Sequence, residues 1–446
     1  MSDLTTAASF LPAEGGLRGT LRVPGDKSVS HRAVLLGAVN DGPLSVTGFL
    51  RSADTMATVA AVRALGVAVD ESDDGLVVHG VGWEGLSEPA DGIDVANSGT
   101  LIRLLPGILA ALPNFCILTG DASIRRRPMA RIIQPLVAMG ASVSGRRSDT
   151  LPPISIRGGH LRAITHEMTV ASAQVKSCVL LAGLRAAGPC TVVEPATSRD
   201  HTERMIRYGG GRVEREVLSD GRGAVTVWPL DALHMDSVSV PGDFSSAAFF
   251  LVAAILTPGS EVTIDNVGLN PTRTALLAVL HRMGADIDVV PTEMLGPEPV
   301  GRITARSSAL QSTDVRHEEV PNLIDELPLF LLAAARAQGV SQLRGAAELR
   351  AKESDRLRVM AATLQSLGVN VKEYPDGMDV QGASEPWLGA GIAAEADHRM
   401  AMVGAIAGLI SCKGVVVDDT DCIAVSFPTF TTELRRLGAV WTEVER

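Results

Sequence analysis

VPGDKSVSHR, from Val23 to Arg32, reads as a strand end, a tight turn and a helix start with a cation on either side. Pro24 and Gly25 stop the strand and allow the turn, and Asp26 or Ser28 can cap a helix running through Ala33 to Val39. Lys27 and Arg32 then bracket free backbone N–H groups at the positive end of a helix dipole, a place suited to an anion. Taken alone, the string fits an ordinary capped helix with surface cations as well. It does not fit a P-loop, because Asp26 separates the glycine from the lysine.

The phrase returns once, as VPGDFSSAAFFL from Val240 to Leu251, with Phe244 in the place of Lys27. A duplicated chain with one charged copy is the simplest reading. Polar clusters also open almost wholly apolar helices at Ser28, Ser98, Ser172, Ser245, Asp325 and Asp397. After each comes a β-rich stretch, and in most units an amphipathic helix that ends in glycine before an alternating strand. The glycines are Gly66, Gly140, Gly210, Gly284, Gly368 and Gly438, about 70 to 84 residues apart, a period that suits a βαβαββ unit and is too long for a solenoid.

Six such units make an α/β (α+β) protein of two similar domains, each of three units around buried parallel helices, an inverse α/β barrel. The expected domains are 22–240, and 241–446 closed by residues 1–21, joined by two crossovers with the active site in the cleft between them. Helices that are apolar on all sides belong inside a domain, so only their polar starts are left to line that cleft. Their dipoles would aim positive ends at one volume.

The chain has 446 residues, 46% hydrophobic and 20% charged, which excludes wholesale disorder and allows two sizeable cores. A net charge of −11 argues against nucleic acid and an anionic membrane surface as partners, so any basic site must be local. Cys116, Cys178, Cys190, Cys412 and Cys422 show no metal spacing and suit buried thiols in a reducing compartment. The longest apolar runs are too short to span a bilayer, and no leader pattern opens the chain. The expectation is a cytoplasmic monomer that uses small-molecule substrates, with no metal and no cofactor.

The polar starts can each be read two ways. Asn97 to Thr100 with Arg103 is a capped helix, or a place where a glycine lets a ligand approach the backbone. Arg125, Arg126, Arg127 and Arg131 are a solvated cluster, or supply an arginine fixed beside Pro128 that grips a carboxylate or phosphate. Ser172, Gln174 and Lys176, then Ser198, Arg199, Asp200 and His201, are caps, or hydroxyls and an amide suited to a phosphorylated polyol. Asp325 is most simply an N-cap, and a general base if it faces a substrate hydroxyl. Lys352 and Arg356 in KESDR fall on the polar side of a helix start, where the dipole disfavours cations. An anion between them would explain both, with Glu353 close enough to exchange a proton. Asp397, His398 and Arg399 add another cation at another helix start.

VPGDKSVSHR, NSGT, the Arg127-Pro128 pair, SAQVKS, RDHTE, IDELP, KESDR and DHRMAM, in that order along nearly the whole chain, resemble the enolpyruvyl transferases. Within them the similarity is to the EPSP synthase family (3-phosphoshikimate 1-carboxyvinyltransferases), and SAQVKS and RDHTE are class II-like. The resemblance implies the two-domain fold above and transfer of the enolpyruvyl group of phosphoenolpyruvate to the 5-hydroxyl of shikimate 3-phosphate. It implies that Lys27, Gly99, Arg127, Gln174, Lys352, Arg356 and Arg399 hold phosphoenolpyruvate. Shikimate 3-phosphate would rest on Lys27, Ser28, Arg32, Ser172, Gln174, Arg199, Asp325 and Lys352, while Asp325, Glu353 and Lys27 move the protons.

Four positions depart from the family pattern: Val425 replaces a lysine, Ala173 a serine, Glu348 an asparagine and Leu104 a proline. A UDP-N-acetylglucosamine enolpyruvyl transferase is the nearest rival, but Ala122 stands where its catalytic cysteine would be. A non-catalytic phosphometabolite-binding protein would not need both Asp325 and Glu353. RNA phosphate cyclases, of related architecture, fit poorly with the acidic balance.

Overall fold

The computed structural model describes residues 6–382 and 385–444. Residues 1–5, on which the expected lack of a leader partly rests, lie outside the described ones. The chain divides into two units, one of Gly25–Pro241 with Met294–Pro299, the other of Met1–Pro24, Gly242–Glu293 and Val300–Arg446.

Each unit has a hydrophobic core of its own, built round three helices. Helices Lys27–Ala38, Leu101–Leu109 and Ala173–Gly183 serve the first, and Phe244–Leu256, Leu327–Ala334 and His398–Leu409 the second. All twelve residues of His398–Leu409 are buried, as a helix without a polar face must be.

The sheets repeat one plan. Strand Ile93–Asp94 runs parallel to Phe115–Thr119, which pairs antiparallel with Leu151–Arg157, which in turn pairs with Ser142–Gly145. In the same way Thr165–Glu167 runs parallel to Cys190–Glu194, which pairs antiparallel with Gly223–Val227, which in turn pairs with Val213–Val217. In the remaining unit of Gly25–Pro241 the parallel edge, Ser237–Ser239, arrives last in sequence, beside Asp41–Thr47.

The N-terminal segment supplies two strands to the other unit. Arg18–Arg22 runs parallel to Glu261–Gly268. Ala7–Phe10 lies between Val415–Val417 and Trp441–Val444, with Ala8 opposite both Val417 and Glu443. One sheet keeps only three strands among the described residues, Val340–Leu343, Gly377–Gln381 and Asn370–Tyr374. Its parallel edge is reduced to bridges at Gln311 and Val315. There side chains take ladder positions: Ser341 Oγ accepts from Thr313 N at 3.2 Å and Asp314 Oδ1 from Gln342 N at 3.0 Å.

The six glycines that close the amphipathic helices all have left-handed φ, between 86° and 111°, a region that side-chain-bearing residues enter only with strain. This α/β arrangement is the fold class expected from the repeat. The thiols correct one expectation: Cys116, Cys178 and Cys190 are buried, whereas Cys412 is exposed and Cys422 half-buried, both in connections around the last core helix. No helix among the described residues is long and apolar enough to cross a membrane.

Candidate active site

Each unit gathers polar groups at its core-helix starts. In Gly25–Pro241, Asp26 rather than Ser28 caps the first helix, accepting from Val29 N at 2.9 Å. Ser28 is thereby released from capping. Lys27 Nζ lies 3.1 Å from Asp54 Oδ2 and keeps about a quarter of its side chain exposed, at 23%.

Arg32 is buried, and its partners are neutral: Thr202 Oγ1 at 2.7 Å, Ser177 Oγ at 2.9 Å and the Ser28 carbonyl at 2.9 Å. Burial pulls its pKa down to about 10, which leaves it a cation at neutral pH. The nearby Glu203, Asp26 and Glu298 charges raise that pKa without outweighing burial, so the guanidinium is only partly compensated and a further anion beside it is favoured.

The next two helix starts interlock. Gln174 accepts from Arg103 Nη1 at 2.8 Å and donates to Thr100 Oγ1 at 3.2 Å, while Arg103 also reaches the Gly99 carbonyl. Arg127, nearly buried, donates to Asn97 Oδ1 at 3.1 Å. Of the arginine cluster it is the buried member, whereas Arg125 and Arg126 are exposed. Ser172 caps its own helix through Val175 N, and half-buried Arg199 stands one residue before Asp200, the N-cap of helix His201–Tyr208.

Gly99 is required by this geometry: a Cβ there would stand 2.5 Å from Arg127 Nη1 and 3.3 Å from Arg103 Nη1. Gly99→Ala should therefore push Arg127 aside and raise KM for an anionic substrate about tenfold, since removing a charge-assisted hydrogen bond costs roughly 1.5 to 3 kcal/mol. Steady-state kinetics check this, and an unchanged KM would show that Arg127 lies off the binding path.

His31 is fully buried under this helix start, 2.6 Å from Thr58 Oγ1, and burial pushes its pKa down to about 3. Between about pH 6.5 and 3 the unfolded chain binds a proton here that the folded chain does not. Folded stability accordingly falls as pH drops through that window, by up to about 1.4 kcal/mol per pH unit. The urea midpoint should fall less steeply from pH 6.5 to 4 in His31→Gln than in the parent. Equal slopes would assign the acid sensitivity elsewhere.

Lys176 corrects the reading that grouped it with the ligand-facing residues. It is wholly buried, 3.2 Å from Glu194 and 2.7 Å from Glu203, and donates to the Ser198 carbonyl at 3.2 Å. Ser198 Oγ in turn donates to Glu194 at 2.6 Å, so both residues brace the segment before Arg199. A lysine inside an otherwise apolar helix was the available sign that a buried counter-charge waits elsewhere.

In the other unit, Asp325, Glu353, Lys352, Arg356 and Arg399 form one cluster. Arg356 is 1% exposed and grips Asp397 through Nε at 2.8 Å and Nη2 at 3.1 Å, Glu353 at 2.6 Å, and Asp325 at 3.4 Å. Lys352 Nζ lies 3.3 Å from Asp325 Oδ1, and Arg399 Nη1 donates to the Asp325 carbonyl at 3.0 Å.

Burial would lower the Arg356 pKa, but the Asp397, Glu353 and Asp325 charges outweigh it and hold the pKa above its ordinary value. Burial likewise opposes ionisation of Asp397, and Arg356 overcomes it and holds that carboxyl low.

Two expectations change here. Asp325 is not the N-cap of Leu327–Ala334, a position taken by Glu326, so its carboxylate is left to the cations. Arg356 is not on a polar helix face; three carboxylates account for a cation at that helix start before any ligand does. Ser354 and Asp397, which complete the cluster, come from a loop and a distant helix start.

The family model described as EPSP synthase (3-phosphoshikimate 1-carboxyvinyltransferase) matches residues 12–434. The chain belongs to the EPSP synthase family. A 3-phosphoshikimate 1-carboxyvinyltransferase of Halorhodospira halophila is 50% identical over 431 residues, covering 95% of this chain and 94% of that protein. One of Pelobacter propionicus is 48% identical over 421 residues, covering 94% and 96%.

Among solved structures, EPSP synthase from Acinetobacter baumannii superposes with a TM-score of 0.87 at 41% identity, covering 99% of this chain and 100% of that one. The enolpyruvyl transferase NikO from Streptomyces tendae, at 17% identity and a TM-score of 0.79, shares the fold. The chain is thus an enzyme of the family its ordered motifs resemble.

Proposed function

We propose that this chain transfers the enolpyruvyl group of phosphoenolpyruvate to the 5-hydroxyl of shikimate 3-phosphate and releases phosphate, in the cytoplasm and as a monomer. The observation that carries this reading is the Asp325 carboxylate set 3.3 Å from Lys352 and 3.4 Å from Arg356, with Glu353 on the same guanidinium. A base, an acid and cations for two anions stand in one cluster.

In this reading C3 of phosphoenolpyruvate is protonated by Glu353 or Lys27 while Asp325 takes the proton of the attacking hydroxyl. The tetrahedral adduct formed at C2 then loses phosphate and a C3 proton. Lys27, Gly99, Arg127, Gln174, Arg356 and Arg399 hold phosphoenolpyruvate through both steps, fixed positive charge at developing negative charge. Ser28, Arg32, Ser172, Gln174 and Arg199, with Lys27, Lys352 and Asp325, hold shikimate 3-phosphate. The partial compensation of Arg32 supports its part in this.

Phosphate release with phosphoenolpyruvate tests the function, with shikimate 3-phosphate, UDP-N-acetylglucosamine or no acceptor. Release should require shikimate 3-phosphate. Release only with the nucleotide sugar would transfer the chain to the rival reaction, and binding without release would make it a carrier.

A further inference from the structure

The second copy of the opening phrase has lost its lysine, and Phe244 in that place is buried in the core. Its polar residues are all engaged inward. Asp243 caps helix Phe244–Leu256 and accepts from Arg273 Nη2 at 3.0 Å. Arg273, 4% exposed, donates from the same nitrogen to Ser245 Oγ at 2.7 Å. Ser245 passes the chain on, donating in a short hydrogen bond to Glu326 Oε1, and Glu326 has no solvent exposure.

Charges sealed in this way are seldom the cheapest means of stability, because well-packed apolar residues commonly do as well or better. What the network does fix is a direction. Glu326 is the residue next to Asp325, at the start of helix Leu327–Ala334. Asp325 is therefore pinned on one side by Arg399 at its carbonyl and, one residue on, by the anchored Glu326 side chain. Its carboxylate keeps only its own side-chain torsions, and Lys352 and Arg356 restrict those.

We propose that Glu326, Ser245 and Arg273 are positioning residues that aim the Asp325 carboxylate. The inference rests on the proposed role of Asp325 as base and adds that its direction comes from the duplicate of the Lys27 turn.

The test is a double-mutant cycle on the full-length enzyme, with Glu326→Gln and Ser245→Ala each made alone and with Asp325→Asn. Each single variant should lower kcat by about 10- to 100-fold, the loss expected when a reacting group is misplaced by roughly an ångström, with both KM values within about threefold. Neither should lower the residual single-turnover rate of Asp325→Asn further, because no carboxylate remains to aim. Ser245→Ala, which deletes one hydroxyl, carries the test if Glu326→Gln does not fold. A kcat within about threefold of the parent, or the same fractional loss in the Asp325→Asn background, would overturn the proposal. Near-normal turnover by Asp325→Asn itself would remove the base, and with it this inference.

Discussion

Asp325→Ala should still bind shikimate 3-phosphate while its kcat falls about a thousandfold, near 4 kcal/mol of transition-state stabilisation. The expectation comes from what the carboxylate touches. Its Oδ1 stands 3.3 Å from Lys352 and 3.4 Å from Arg356, and its side chain is 15% exposed, so it is reachable yet held. Removing it leaves cations that attract the anionic substrates as strongly as before or more so, whereas nothing else in the cluster replaces a base at that atom. Binding measured by calorimetry should change by no more than about fivefold, the worth of one hydrogen bond to the hydroxyl. If kcat stays within tenfold of the parent, Asp325 is not the base.

Arg356→Met is the second large effect, and it falls on stability as well as activity. The guanidinium is buried and satisfies Asp397 twice, Glu353 and Asp325. Methionine fills much of the volume but leaves Asp397, which is 0% exposed, without its principal cation. Breaking a buried pair from one side costs about 3 to 5 kcal/mol, or roughly 10 °C in apparent Tm for a unit of this size.

The sign of the pH dependence distinguishes this cause from a packing defect. In the parent, Asp397 has a depressed folded pKa, so its stabilisation is full above its unfolded pKa and is lost as pH falls through the folded one. In Arg356→Met the carboxyl no longer gains from ionising, so the gap in Tm between variant and parent should narrow as pH is lowered. Adding Asp397→Asn should recover part of the Tm at neutral pH without restoring a low KM for phosphoenolpyruvate. A Tm within about 2 °C of the parent would show that the cluster contributes little to the fold.

Particular residues show why parts of this were readable beforehand. A polar cluster followed by an apolar run marks a helix start however its side chains are used, so Ser28, Ser98, Ser172, Ser245, Asp325 and Asp397 could be read as helix starts and each falls at or close before one, although Asp26 and Asp243 are the capping residues of the first and fourth. The glycines betrayed themselves because a left-handed residue after a helix excludes most others.

Side-chain partners were hidden wherever they are far apart in sequence. Arg356 meets Asp397, and Arg32 meets Ser177 and Thr202, through pairings that only the folded topology creates. Local reasoning therefore put Arg356 on a polar face and made Asp325 a cap. The family likeness supplied substrates that no spacing could have named.

The most direct test of the addition–elimination chemistry assigned to these residues is to run the reaction in deuterium oxide and examine the methylene of the product's enolpyruvyl group. Protonation of C3 followed by loss of a C3 proton predicts deuterium from solvent in that methylene, formed with the parent and slowed in step with turnover in Asp325→Ala. Product formed at the normal rate with a methylene free of deuterium would contradict the account.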